Sequence, residues 1–230
     1  MTFPPRPGAI GRFRLDPVPP RDDPSRRLAQ WRGAIASRFT EDPAFHGHGP
    51  DGLEYRYPPV HYQWNDDEPR VVLIGDAVEP AMRHAWPGSA LRIGPHATRV
   101  VEVDWEPRSF TLEPAERLIR YEFRTPWVAL SQENQRAFRD ASPAGQRQRL
   151  DAILVGNVLS MAKSLGWLLS PAERILAAFE PGGTVTVHLR EVALIGFLGT
   201  FVCNWHLPLD LALGRSVSRG FGAYVPLPTG

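Results

Sequence analysis

YRYPPVHYQW (55–64), NDDEP (65–69) and RVVLIGDAV (70–78) form the stretch that decides the fold. Two runs rich in Tyr, Val, Ile and Trp flank a short acidic connection, which is the pattern of two strands joined as a hairpin. Toward the N-terminus, Asp23-Pro24-Ser25 offers a cap and a first-turn proline for a helix through about Phe39, with Leu28, Trp31, Ile35 and Phe39 on one face. Before it, GRFRLDPV (11–18) alternates like a short strand. Beyond the hairpin come a short helix, Glu79–Ala85, and a long β-rich segment, Ala90–Asp104. The resulting order, β-α-β-β-α-β, is that of a ferredoxin-like unit.

EPRSFTLEPAE (106–116), with two prolines and few apolar residues, reads as the boundary between domains. The second half repeats the theme. Leu118–Leu130 is strand-like around Phe123 and Trp127, and Asn134–Arg139 and Gln146–Leu169 are helical. The longer helix carries Leu150, Ile153, Leu154, Val158, Met161 and Leu165 at helical spacing, while Gly156 and Ser160 invite a close backbone approach. Thr184–Leu194 and Ile195–Leu207 read as strands, and Ala223–Leu227 as the last one, with the penultimate helix short or replaced by a loop. The expected fold class is α+β: two ferredoxin-like (RRM-like) βαββαβ domains in tandem, at residues 1–109 and 117–230.

That loop is part of LALGRSVSRGFGAYV (211–225), where Gly214, Gly220 and Gly222 surround Arg215, Ser216, Ser218 and Arg219. Glycine admits positive φ and close ligand approach, and hydroxyls, guanidinium forks and bare N–H groups bind phosphate oxygens. No Gly-Lys-Ser/Thr closes the loop, so it is not a Walker loop, and its place near the C-terminus does not suit a dinucleotide fingerprint. It reads as an anion cradle for a polyanion laid across a surface, against the plainer reading of a tightly packed turn.

Composition narrows the partners. The chain has 230 residues and a net charge of +1, and of its 26 cationic residues only Lys163 is a lysine. Arginine forks suit phosphates and stacked bases, yet near-neutral charge confines any RNA site to a local patch. The single cysteine, Cys203 in GFLGTFVCNW (196–205), reads as a buried core residue, which leaves no disulfide framework or cysteine metal site. MTFPPRPGAIGRF (1–13) lacks the apolar core of a signal peptide, and no apolar run approaches the ~18 residues of a membrane span. The expectation is a cytoplasmic protein with no membrane partner.

Chemistry concentrates in FHGHGP (45–50), a loop by its glycines and proline. Imidazole titrates near neutral pH, so His46 and His48 can serve as general base and general acid, and Tyr55, Arg56 and Tyr57 follow with hydroxyls, a stacking face and a phosphate ligand. A competing reading makes His46, His48 and Asp51 metal ligands, although a further ligand at recognisable spacing is missing. His61, among Tyr57 and Tyr62, reads as structural, and His84 and His96 as surface residues. No Gly-x-Ser-x-Gly elbow or His-Glu-x-x-His helix is present, which disfavours serine hydrolases and zinc proteases.

The His-x-His segment before YRYPPVHYQW, the GRSVSRGFG loop (214–222), and the stretches FRTPWVALSQEN (123–134), LVGNVLSMAKSLGW (154–167) and GFLGTFVCNWHLP (196–208) together resemble the CRISPR-associated endoribonucleases that cut repeat RNA. The branch resembled is the one with a paired histidine in its N-terminal domain. The resemblance implies metal-independent cleavage of precursor CRISPR RNA without a cofactor. In that reaction the 2′-hydroxyl attacks the adjacent phosphodiester and leaves a 2′,3′-cyclic phosphate and a 5′-hydroxyl. It maps His46 and His48 onto the histidine pair and Tyr55 onto the accompanying tyrosine, with Tyr57 as the other assignment. Arg56, Tyr57, Lys163, Gly214, Arg215, Ser216, Ser218, Arg219, Gly220 and Gly222 are the expected RNA contacts. The partner implied is CRISPR repeat RNA, and the family admits both a homodimer and membership of a CRISPR effector complex. Two other classes compete with the nuclease: a catalytically silent repeat-RNA-binding subunit, and a metal-dependent hydrolase using His46, His48 and Asp51.

Overall fold

The computed structural model describes residues 3–20, 24–46, 48–49, 52–53, 57–65, 68–189 and 192–228. The chain divides into two units. One comprises Arg6–Phe110 together with Ser218–Gly220, and the other comprises Thr111–Val217 with residues 3–5 and 221–228.

In the N-terminal unit, β1 (Arg6–Asp16) is followed by α1 (Pro24–Ala36), α2 (Pro43–His46), the two-residue strands β2 (His48–Gly49) and β3 (Gly52–Leu53), β4 (Val60–Asn65) and β5 (Glu68–Ile74). A 3₁₀ turn at Gly75–Ala77 leads into α3 (Val78–Arg83), then β6 (Ala90–Ile93) and β7 (His96–Phe110). The main sheet is antiparallel in the order β4-β5-β1-β7-β6. Without the β6 edge this is the ferredoxin-like arrangement, in which the first and third strands lie at the centre. Alternation along β1 sends Phe13 and Leu15 into a core with Trp31, Ile35, Tyr62, Leu73 and Trp86, while Arg12 and Arg14 take the other face. Phe13 meets Trp31 and Trp86 edge-on at centroid distances of 5.0 and 4.9 Å, and Trp31 Nε1 donates to the Arg70 carbonyl at 3.1 Å.

The C-terminal unit runs β8 (Glu113–Phe123), α4 (Gln132–Arg139), α5 (Pro143–Ser164), β9 (Ala177–Leu189), β10 (Val192–His206) and β11 (Tyr224–Pro226); where the motif would have its second helix the chain makes only a 3₁₀ turn, Val217–Arg219, of which Val217 alone belongs to this unit. Its antiparallel sheet has the order β11-β8-β10-β9, again a ferredoxin-like arrangement. The protein is thus α+β with two ferredoxin-like sheets, as its element order implies. Ser142 caps α5 by accepting from Gly145 N at 3.2 Å, and Pro143 occupies the first turn. Trp127 is fully buried, lies flat against Phe123 at 5.3 Å, and donates from Nε1 to Asn157 Oδ1 at 3.0 Å. No helix among the described residues is long and apolar enough to cross a membrane.

Several boundaries differ from the sequence reading, each for a physical reason. The strand expected from Tyr55 begins at Val60, because Pro58 and Pro59 cannot donate to a ladder. The apparent linker 106–116 is mostly strand: Pro107 pairs opposite Ala9, and Pro114 opposite Trp205. Both prolines sit where their own strand has a neighbour on one side only, since β6 pairs with β7 only at 96–99 and β11 with β8 only at 121–123. α5 stops at Ser164, where Gly166 takes a φ of +76° and Trp167 N returns to the Ala162 carbonyl. The break expected between Leu194 and Ile195 lies instead between the paired residues Leu189 and Val192, because the apolar run 193–198 hides no turn. Gly156, expected at a close approach, has open space around it.

Candidate active site

The histidine segment begins from a buried anchor. Asp42 caps the short α2, with Oδ1 accepting from Ala44 N at 2.9 Å and its carbonyl from Phe45 N at 3.2 Å. The Phe45 ring is 2% exposed and stacks on Phe39 at 3.9 Å and 14°. The Tyr62 hydroxyl, on β4, donates to the Phe45 carbonyl at 3.2 Å. His46 is the next residue and closes α2, and His48 begins β2, paired opposite Leu53. The pair expected on an open loop is therefore carried by a helical turn and a minimal antiparallel ladder. Tyr55, Arg56 and Asp51 lie outside the described residues.

Tyr57 is half-buried, with its ring 5.0 Å from that of His61. His61 is fully buried, its Nε2 is 3.1 Å from the Pro58 carbonyl, and burial holds its imidazole down at about 4. It is neutral at physiological pH, in keeping with a structural role. His84 departs from the surface reading: it is half-buried, packs on Trp86 at 4.5 Å and Phe39 at 5.4 Å, and is held below the ordinary histidine range by desolvation and by Arg38. On the sheet face away from the core, Arg12 bonds Glu106 at 2.6 Å and lies 3.7 Å from both Glu68 and Asp104. This cation is compensated, and that face is no bare basic platform.

The glycine-rich loop is densely packed. Gly214, Gly220 and Gly222 have φ of +104°, +80° and +72°, and Ser216 also takes a positive φ, +57°. A Cβ on Gly222 would run into the Leu213 carbonyl, and one on Gly220 would lie 2.8 Å from Leu28 Cδ1 and 3.1 Å from the Tyr62 carbonyl. The N–H groups of Arg215 and Gly222 are committed to the Val128 and Pro126 carbonyls, at 2.9 and 3.0 Å. Those two donors are already used inside the fold, and the Arg215 side chain is exposed. Ser216 is half-exposed in the C-terminal unit with Gly214 and Arg215, whereas Ser218, Arg219 and Gly220 belong to the N-terminal unit. Lys163 is exposed in the last turn of α5. Sequence reasoning passed over the supports Phe39, Asp42 and Tyr62. Asp42-Pro43 was a legible cap and first-turn pair, but a tyrosine bonding a carbonyl 17 residues away leaves no local signal.

Residues 18–110 match the model of the Cas6b N-terminal domain, and residues 113–227 match that of the Cas6b C-terminal domain. The chain belongs to the Cas6b family. The resemblance to CRISPR-associated endoribonucleases is thereby established at the level of family. A crystal structure of Cas6b superposes on it with a TM-score of 0.81 at 25% identity, covering 96% of this chain and all of the other. A second, of a CRISPR RNA processing endoribonuclease Cas6b, gives 0.71 at 24% over the same shares. A Cas6 product complex shares the fold at 12% identity and a TM-score of 0.58, covering 97% of this chain and all of that one. An uncharacterized protein of Methanocaldococcus jannaschii is 36% identical over 111 residues, 48% of this chain and 74% of its own length. In Cas6b terms, the histidine segment lies in the N-terminal domain match and the glycine-rich loop in the C-terminal one.

Proposed function

We propose that this Cas6b protein is an RNA endonuclease that cleaves precursor CRISPR RNA within its repeats, without a metal ion. The observation that carries the reading is the His46-Gly47-His48 pair, set in a Cas6b N-terminal domain directly after the buried Phe45 anchor. One imidazole removes the proton from the 2′-hydroxyl, whose oxygen attacks the neighbouring phosphorus. The other protonates the departing 5′-oxygen, so the products carry a 2′,3′-cyclic phosphate and a 5′-hydroxyl. Tyr55 steadies the charge on the phosphoryl oxygens, with Arg56 and Tyr57 beside it. Lys163, Arg215, Ser216, Ser218 and Arg219 position the RNA through phosphate contacts, which orient it without reading bases.

Incubation of the protein with repeat RNA in excess chelator tests this directly. Cleavage with cyclic-phosphate ends supports the proposal. Binding without cleavage assigns the protein as a silent RNA-binding subunit, and activity abolished by chelator and restored by a divalent ion assigns a metal-dependent hydrolase.

A further inference from the structure

Adjacent residues of a strand point to opposite faces, and β4 uses this at His61 and Tyr62. Tyr62, 1% exposed, turns into the core and donates its hydroxyl to the Phe45 carbonyl at 3.2 Å. His61, fully buried, lies on the other face with Nε2 3.1 Å from the Pro58 carbonyl. A carbonyl only accepts, so Nε2 carries the imidazole proton. The next carbonyl, that of Pro59, accepts from Ile74 N at 2.9 Å. Phe45 and Pro58 flank the segment 46–57, and each of those two carbonyls is held by a side chain of the same strand. α2 is too short to satisfy the Phe45 carbonyl with its own backbone, so the Tyr62 hydroxyl supplies a partner that the helix lacks. His46 follows one tied carbonyl, and Tyr57 precedes the other.

We propose that His61 and Tyr62 are positioning residues that clamp the two ends of the segment 46–57 to β4, and so fix where its acid–base groups stand against RNA. The inference rests on the assignment of His46 and His48 as the acid–base pair. Acid–base transfer demands geometry within hydrogen-bond reach, and a misplacement of ~1 Å can cost about 10²-fold in rate. A clamp of this kind acts on turnover rather than on RNA affinity, because neither side chain is exposed to a ligand.

The test is single-turnover cleavage of repeat RNA at saturating protein, with RNA affinity measured in parallel, for wild type, Tyr62→Phe, His61→Leu, His61→Gln and His46→Ala. Tyr62→Phe removes one hydroxyl and keeps the ring in the core. It is expected to lower the rate by about 10- to 100-fold while affinity stays close to wild type. His61→Leu is expected to do the same. His61→Gln restores an N–H at nearly the same reach and should recover most of the loss. Wild-type rates in both Tyr62→Phe and His61→Leu, with His46→Ala inactive, overturn the clamp and leave the acid–base pair intact. Equal losses in His61→Leu and His61→Gln also overturn it, since packing rather than the hydrogen bond would then be at stake. If His46→Ala and His48→Ala both cleave like wild type, the acid–base assignment fails instead. In that event amide exchange decides the clamp: faster exchange across 46–57 in Tyr62→Phe, with β1 unchanged, supports it, and unchanged exchange there overturns it.

Discussion

The histidine segment and the glycine-rich loop invert the expectations that their compositions create. FHGHGP, with two glycines, a proline and no apolar residue after Phe45, reads as a free loop. Yet it starts from a ring stacked at 3.9 Å on Phe39 and a carbonyl held by Tyr62. GRSVSRGFG reads as an open cradle, yet its glycines are there because neighbouring backbone and side chains leave no room for a Cβ, and two of its N–H groups are already bonded inside the protein. Glycine content alone does not distinguish a surface that receives a ligand from a turn that must pass close to its own fold. The discriminating facts are which donors are already used and what lies within contact distance.

If the first region is the chemical one, its loss should be the largest. His46→Ala or His48→Ala is expected to slow single-turnover cleavage by ~10²–10⁴-fold, the range of a lost general acid or base. RNA affinity, read by filter binding, should barely move. A loss of affinity with an intact rate would make the segment a binding element and erase the contrast.

The second region should answer first in stability. Gly222→Ala puts a Cβ into the Leu213 carbonyl at a φ of +72° and is expected to cost at least ~1–3 kcal/mol in urea unfolding. Gly156→Ala, in an exposed helical position with open space, should gain ~0.5–1 kcal/mol, because alanine is the better helix former. Equal behaviour of the two would mean that the loop's glycines are not confined.

His61 gives the anchored region a pH signature. Its imidazole takes a proton at about 4 in the folded protein and near ~6.5 when unfolded. Between these values the unfolded chain binds more protons, so stability falls as pH drops through that window, by up to ~1.4 kcal/mol per pH unit. Below about 4 this contribution levels off. His61→Gln should flatten the profile over the same window, as measured by melting temperature against pH, and an unchanged profile would place the sensitivity elsewhere.

The smallest effect belongs to the loop's exposed charge. Arg215→Ala should weaken RNA binding across unrelated sequences and reduce the salt slope of log affinity by about 0.7, the value for one phosphate of a single strand. An unaltered slope would leave the loop a packing feature alone.

The order of elements was legible because the sequences at 23–25 and 65–69 carry local signals of a helix start and a turn, and α1, β4 and β5 lie beside them. Strand limits were not, since Pro107 and Pro114 read as breakers until the unpaired side of each strand is known. The reversal between Leu189 and Val192 was hidden for a different reason: apolar residues run through the start of β10 without marking a change of direction. The histidine pair was visible by residue type and spacing. Its support from Tyr62 was not, because the bond from Tyr62 to Phe45 joins residues far apart in sequence. The compensation of Arg12 by Glu68, Asp104 and Glu106 likewise depends on strand register rather than on net charge.

Each unit also keeps a short piece of chain that its own stretch of sequence does not supply. Residues 3–5 belong with the C-terminal unit, where Trp167 Nε1 donates to the Pro4 carbonyl at 2.9 Å and Phe3 stacks on Trp205 at 6.2 Å. Ser218–Gly220 belong with the N-terminal unit, where Gly220 abuts Leu28 and the Tyr62 carbonyl. A cut or a graft at residues 110/111 would therefore strip both products at once, taking Trp167's acceptor from one and the approach of Gly220 to Leu28 and the Tyr62 carbonyl from the other. The two halves are ill suited to shuffling between relatives: a transplanted half must bring its remote segment with it, so inheritance should favour the pair travelling together.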